Sequence, residues 1–148
     1  MPELLRQPFE LGYTYTRSTG PVVGAFFAAL KDKSILGTRG SDGTVYVPPM
    51  EFDPVTAQAL DEFVEVSDCG VVTSWCWVTE PREAHPFDHP FAWALITLDG
   101  ADVPMLQAVD AGSPSEMATG MRVRARWAGE PRGFITDIVC FEPERDDG

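Results

Sequence analysis

The sequence predicts a mainly β chain, a small barrel of five or six strands carried behind a short helix and a hairpin. Three observations predict it. Residues 63–141 hold six short β-prone runs, turn chemistry separates those runs, and apolar residues at helical spacing precede them at residues 20–31. A length of 148 residues with 44% hydrophobic content is enough for one core with a small appendage.

After an irregular start that carries Phe9, Tyr13 and Tyr15, Gly20 to Lys31 places apolar side chains on one helical face, with Pro21 suited to a first turn. Ser34 to Val47 is two β-prone runs around Gly40-Ser41-Asp42-Gly43, a hairpin closed by Pro48-Pro49. Asp53-Pro54-Val55-Thr56 is a turn, with Asp53 expected to cap a short helical piece through Ala57, Leu60 and Asp61. The expected strands are Phe63 to Val66, Gly70 to Val78, Phe91 to Leu98, Val103 to Val109, Arg122 to Trp127 and Gly133 to Phe141. Their separators include Asp99-Gly100 and Gly129-Glu130-Pro131-Arg132-Gly133. Pro114 to Gly120 is read as one helical turn, capped by Ser113 or Ser115, that turns Met117 inward. Period two sets Arg122, Arg124 and Arg126 on one strand face and Val123, Ala125 and Trp127 on the other.

Composition excludes several functions. A formal charge of −12 repels a phosphate backbone, so nucleic acid is not an expected partner. The longest apolar run, near Val22 to Leu30, is too short to span a bilayer, so no membrane partner is expected. Met1 to Glu10 does not read as a signal peptide, and a cytoplasmic location is the expectation. Cys69, Cys76 and Cys140 are odd in number, widely spaced and next to apolar residues, which reads as structural thiols. His85 and His89 sit in an acidic loop whose prolines 81, 86 and 90 oppose a helix bearing i, i+4 metal ligands. Neither histidine has a nucleophile nearby in sequence, and no catalytic residue is assigned. Phe87 and Phe91 in and beside that loop make it an interface candidate. Trp75 and Trp77 share one strand face for core or partner packing.

The order of helix, hairpin ending in Val47-Pro48-Pro49, Asp-Pro-Val-Thr turn, and Gly70-Val71-Val72-Thr73-Ser74-Trp75 carries a family resemblance. Pro90-Phe91 before Ala94-Leu95-Ile96-Thr97-Leu98, and Gly120-Met121-Arg122-Val123, extend it over roughly residues 20–142. The chain resembles the acyl-CoA-associated zinc-ribbon OB-fold proteins. The resemblance implies an OB-fold, a five-stranded Greek-key barrel, at residues 61–143. It would follow an N-terminal helix and a degenerate, metal-free, rubredoxin-like ribbon within residues 1–60 and precede an acidic tail at 144–148.

In zinc-bearing members a Cys-x-x-Cys-Gly precedes the prolines and a Cys-Pro-x-Cys follows them. Here those positions hold Arg39, Asp42, Asp53 and Thr56, so no zinc is expected. Arg39 is expected to pair with Asp42 or Asp53 in place of the metal, the alternative being a hairpin held by packing of Val45, Tyr46 and Phe52.

Members of the family are similar in lacking a catalytic centre and in binding acyl-CoA enzymes. The resemblance therefore implies a non-enzymatic subunit of a thiolase-like enzyme, of lipid-transfer-protein thiolase or aldolase type, in lipid or steroid degradation. The two chains would form a hetero-oligomer around a shared acyl-CoA channel. A free-standing acyl-CoA-binding module and a partner of a MaoC-type enoyl-CoA hydratase are the alternatives. Arg17, Arg122, Arg124 and Arg126 are candidate contacts for coenzyme A phosphates or an acidic partner, set against a plain solvated face. Phe26, Phe27, Tyr46, Trp75, Trp77, His85, Phe87, His89 and Phe91 are interface candidates.

Overall fold

The computed structural model of the chain describes residues 4–145. Of the expected acidic tail, residues 146–148 lie outside the described residues.

Helix α1 (Gly20–Lys31) opens with proline in its first turn and closes with Lys31 in its last, where a cation favours the carbonyl end. Val22, Phe26 and Leu30 repeat every four residues and are its buried face. Asp32 and Ser34 donate back to the Ala29 carbonyl, Lys33 takes a left-handed φ of 57°, and the chain turns into a strand.

Strands β1 (Ile35–Arg39), β2 (Val45–Tyr46) and β3 (Phe63–Val66) form an antiparallel sheet in the order β2-β1-β3. Phe63–Val66 was expected among the barrel candidates. It instead fills the open edge of β1, from Thr38↔Phe63 to Ile35↔Val66. The helical piece expected after Asp53 is a second turn of the ribbon: Phe52 bridges Ala59, and Leu60 N–H donates to the Glu51 carbonyl.

The barrel has five strands: β4 (Cys69–Val78), β5 (Phe91–Leu98), β6 (Met105–Val109), β7 (Arg122–Trp127) and β8 (Ile138–Pro143). It closes in the order β4-β5-β6-β8-β7, with β6 and β8 parallel. The fold class expected from the sequence is the one observed. Val72, Ile96, Leu98, Val109, Val123 and Phe141 are almost fully buried inside it, and deleting such side chains costs about 2–5 kcal/mol each. Gly70 permits the close approach of β4 to β5, since a Cβ there would overlap the Thr97 carbonyl oxygen. A bulge between Val72 and Ser74 bends β4.

Two strands start later than expected. β6 begins at Met105, after Pro104, which has no N–H to give a ladder. β8 begins at Ile138 because the Asp137 carboxylate collects the N–H groups of Arg132, Gly133 and Phe134 at 2.7–3.1 Å and folds that stretch into a turn. Met117 is buried, as expected, behind a short 3-10 turn (Pro114–Glu116). There, Ser113 and Ser115 bond each other at 2.7 Å and neither caps the turn. Among the described residues no helix is long and apolar enough to cross a membrane.

Asp102 joins appendage to barrel. Its carboxylate accepts the Val45 N–H at 2.8 Å and its own N–H donates to the Val45 carbonyl at 3.0 Å.

Candidate functional site

The ribbon turns meet at Asp53. Its side chain, only 2% exposed, accepts the Ser41 N–H of the first turn at 2.8 Å, and the Val55 and Thr56 N–H groups of its own turn at 2.8 and 3.4 Å. The bonds to Ser41, then those to Val55 and Thr56, outweigh burial and hold its pKa far below the usual carboxylate range. The last two bonds hold a turn within Asp53-Pro54-Val55-Thr56, and the helical piece that Asp53 was expected to cap does not form. The bond across to Ser41 is what sequence reasoning missed, because it depends on a fold that brings residues twelve apart together.

Arg39 pairs with neither Asp42 nor Asp53. Its Nε bonds Glu62 Oε1 at 3.0 Å and its Nη1 the Gly43 carbonyl at 3.2 Å, because backbone pairing at Arg39 N–H to the Glu62 carbonyl already sets those two residues side by side. Asp42 turns onto the Thr44 N–H at 3.0 Å, which lowers its pKa. Thr56 Oγ1 accepts from Gln58 N–H at 3.4 Å. These residues do not fit a tetrahedral zinc ion. They offer no thiolate or imidazole, and the one buried carboxylate is occupied by backbone donors.

The arginine face is exposed as the period-two pattern requires, yet each guanidinium is engaged by this chain's own groups. Arg122 bonds Asp99 at 2.6 and 2.8 Å and Glu144 at 3.0 Å. Arg124 bonds the Cys69 sulfur at 3.3 Å and Glu144 at 3.4 Å. Arg126 bonds Asp110 at 3.1 Å and Glu142 at 3.3 Å. The Asp99 hydrogen bond, then Glu144, raises the Arg122 pKa. An incoming phosphate or acidic surface would have to displace these carboxylates. The adjoining groove, about 780 Å³, sets Asp110, Glu116, Glu142 and Glu144 against Arg124 and Arg145. Arg17 lies far along the chain from this face in the exposed N-terminal segment, where Ser18 Oγ accepts the Gly20 N–H at 3.3 Å.

The loop from Thr79 to Pro90 is pinned to the outer barrel face. His85 stands edge-on to Phe91 and Trp93, with ring centroids 5.5 and 6.3 Å away. Phe87 stacks on His89 at 4.7 Å and lies beneath the Arg126 guanidinium at 5.9 Å. His85 Nδ1 accepts the Arg82 N–H at 3.0 Å, and His89 Nε2 meets Asp110 Oδ1 at 3.1 Å. Both imidazoles thus hold the loop. Trp93 and Asp110 are the partners that the sequence did not single out.

Of the interface candidates, Phe26 is buried in the main core and Phe91 in a second small cluster under the loop, and neither is available to a partner. Phe27, Trp75 and Trp77 are half-buried against that core, Tyr46 is half-buried beside Gly40, and His85 and Phe87 are half-buried in the loop. His89 is exposed. Cys69 and Cys140 are buried, while Cys76 is exposed and departs from the structural reading. Burial pushes the Cys140 thiol up to about 11. The buried Cys69 thiol donates to Asp68 Oδ1 at 3.6 Å and accepts from Arg124 Nε at 3.3 Å, so it too is engaged within the chain.

Fold and site define an OB-fold barrel with a ribbon appendage clipped by a carboxylate. Residues 63–128, just under half of the chain, match the family model of the ChsH2 C-terminal OB-fold domain. The acyl-CoA-associated OB-fold resemblance read from the motifs agrees with that match. Among solved structures the chain is similar to the Ltp2-ChsH2(DUF35) aldolase, with 22% identity and a TM-score of 0.62 over 86% of this chain and 98% of that one. It is also similar to a DUF35-family protein of unknown function from Sulfolobus solfataricus, with 23% identity and a TM-score of 0.58 over 72% of this chain and 78% of that one. No curated protein matches it in sequence.

Proposed function

We propose that this chain is a non-catalytic accessory subunit of a thiolase-like acyl-CoA enzyme, an aldolase in the first instance. In this reading it helps to assemble the active complex and its acyl-CoA channel, in lipid or steroid degradation, and works without zinc.

The observation that supports this reading most is the fold likeness to the Ltp2-ChsH2(DUF35) aldolase over 86% of this chain, a share that exceeds the barrel alone and so takes in the appendage. The chain's own chemistry is in keeping with it. Histidines committed to a loop and a buried neutral thiol bind and position, and the nucleophile is left to the partner.

The test is co-expression with a thiolase-like enzyme from the same source, followed by assay of carbon–carbon cleavage in an acyl-CoA substrate. Activity at least tenfold higher in the complex than in the enzyme alone supports the proposal. Acyl-CoA binding by the lone chain with no effect on the enzyme would replace it with the binding-module reading. Capture of an enoyl-CoA hydratase would replace it with the MaoC-type reading.

A further inference from the structure

The segment Leu4–Ser18 forms neither helix nor strand and lies exposed along its length. Its composition is wrong for a solvated tail, since disordered segments are poor in aromatic and large aliphatic residues. Phe9, Leu11, Tyr13 and Tyr15 recur at every second position and are 84%, 64%, 77% and 82% exposed. Glu10, Gly12, Thr14 and Thr16 alternate with them. That is the pattern of a β-strand with one apolar and one polar face.

The barrel offers a matching edge. β7 lies along β4 only from Cys69 to Val71, and Gly120 and Met121 complete the pairing at Val72. From Thr73 to Val78, β4 pairs with β5 on one side, while among the described residues its other side carries no backbone hydrogen bond. This six-residue edge shows half-buried Trp75 and Trp77 on one face, and exposed Ser74 and Cys76 on the other. Open edges of this kind template the addition of a strand.

We propose that the N-terminal segment of one copy adds as an antiparallel strand to the Thr73–Val78 edge of a second copy, and reciprocally, giving a strand-exchanged dimer. Both faces match: the aromatic stripe lies over Trp75 and Trp77, and the threonines lie beside Ser74 and Cys76. Antiparallel pairing brings Arg6 toward the loop that carries Glu80, Glu83 and Asp88. Large side chains bury on the order of 150–250 Å² each. Half-covering eight of them, with the surface they cover, reaches roughly the 1,200–2,000 Å² of a stable interface. Each chain carries −12, so association strengthens as salt screens the repulsion. The proposal is independent of the enzyme partner.

Sedimentation equilibrium of the full chain, at low salt and at physiological salt, tests it together with two variants. The wild-type chain is expected to dimerise more tightly at the higher salt. L11K/Y13K, altered only in the exposed segment, is expected to weaken association at least tenfold while leaving the fold unchanged. Thr14→Cys, oxidised with diamide, is expected to give an interchain disulfide to Cys76, seen by peptide mapping of a dimer-mass band. A wild-type chain that stays monomeric, a dimer indifferent to L11K/Y13K, or a disulfide from the introduced thiol to Cys76 of the same chain alone would each overturn the proposal. So would protection of the segment only when the enzyme partner is added.

Discussion

A carboxylate that gathers N–H groups from two turns does the mechanical part of what a metal clip does, because it ties two loops to one point. Asp53 does this for the ribbon, and removing it would leave the Ser41, Val55 and Thr56 N–H groups without the acceptor that ties the two turns together. Asp53→Ala is therefore expected to lower the urea midpoint clearly, whereas Arg39→Ala, at an exposed pair with Glu62, leaves it nearly unchanged. Since the folded pKa of Asp53 lies below its unfolded value, the unfolded chain binds the extra proton as pH falls below about 4. The stabilisation is complete above that pH and is lost on acidification, so Asp53→Asn should show a smaller drop in stability between pH 7 and pH 3 than the wild type. Native alkylation at pH 8 should label Cys76 alone, with Cys69 and Cys140 reacting only after unfolding. Three fast thiols would contradict the burial described. That Asp53 would matter was legible in its spacing, but its partner was not. Arg39 was misassigned because an ion pair follows from strand register, which local sequence does not contain.

Elements were legible where periodicity is long, as in α1, β4, β5 and β7, whose expected ends lie within a residue of those observed. Errors fell where one side chain overrides local preference. Asp137 converts the start of an expected strand into a turn, against the burial penalty on its charge, by accepting three backbone N–H groups. The short strand Phe63–Val66 has no local mark that assigns it to the appendage or the barrel. Only the pairing need of β1 decides it. Close packing of β4 on β5 also has a consequence at this scale. Gly70→Ala drives a methyl group onto the Thr97 carbonyl, so a loss of roughly 1–3 kcal/mol is expected by chemical denaturation, as for other overpacked sites. A neutral outcome would mean that the strands separate freely at that point.

At the scale of the whole molecule, the barrel, the ribbon and the loop from Thr79 to Pro90 are joined by polar contacts that lie far apart in sequence, such as Asp102 to Val45 and His89 to Asp110. These contacts commit the side chains concerned to holding the chain's own elements together. Barrel and appendage were readable from composition and motif, whereas the engagement of the arginine face by Asp99, Asp110, Glu142 and Glu144 needed the closed barrel to become visible. A tagged pull-down from the native source, with mass spectrometry and metal analysis of one sample, decides whether the chain is a metal-free subunit bound to a thiolase-like enzyme. A thiolase-like protein in stoichiometric amount and no zinc are expected. A chain recovered without an enzyme, or one carrying zinc in equimolar amount, would contradict that reading.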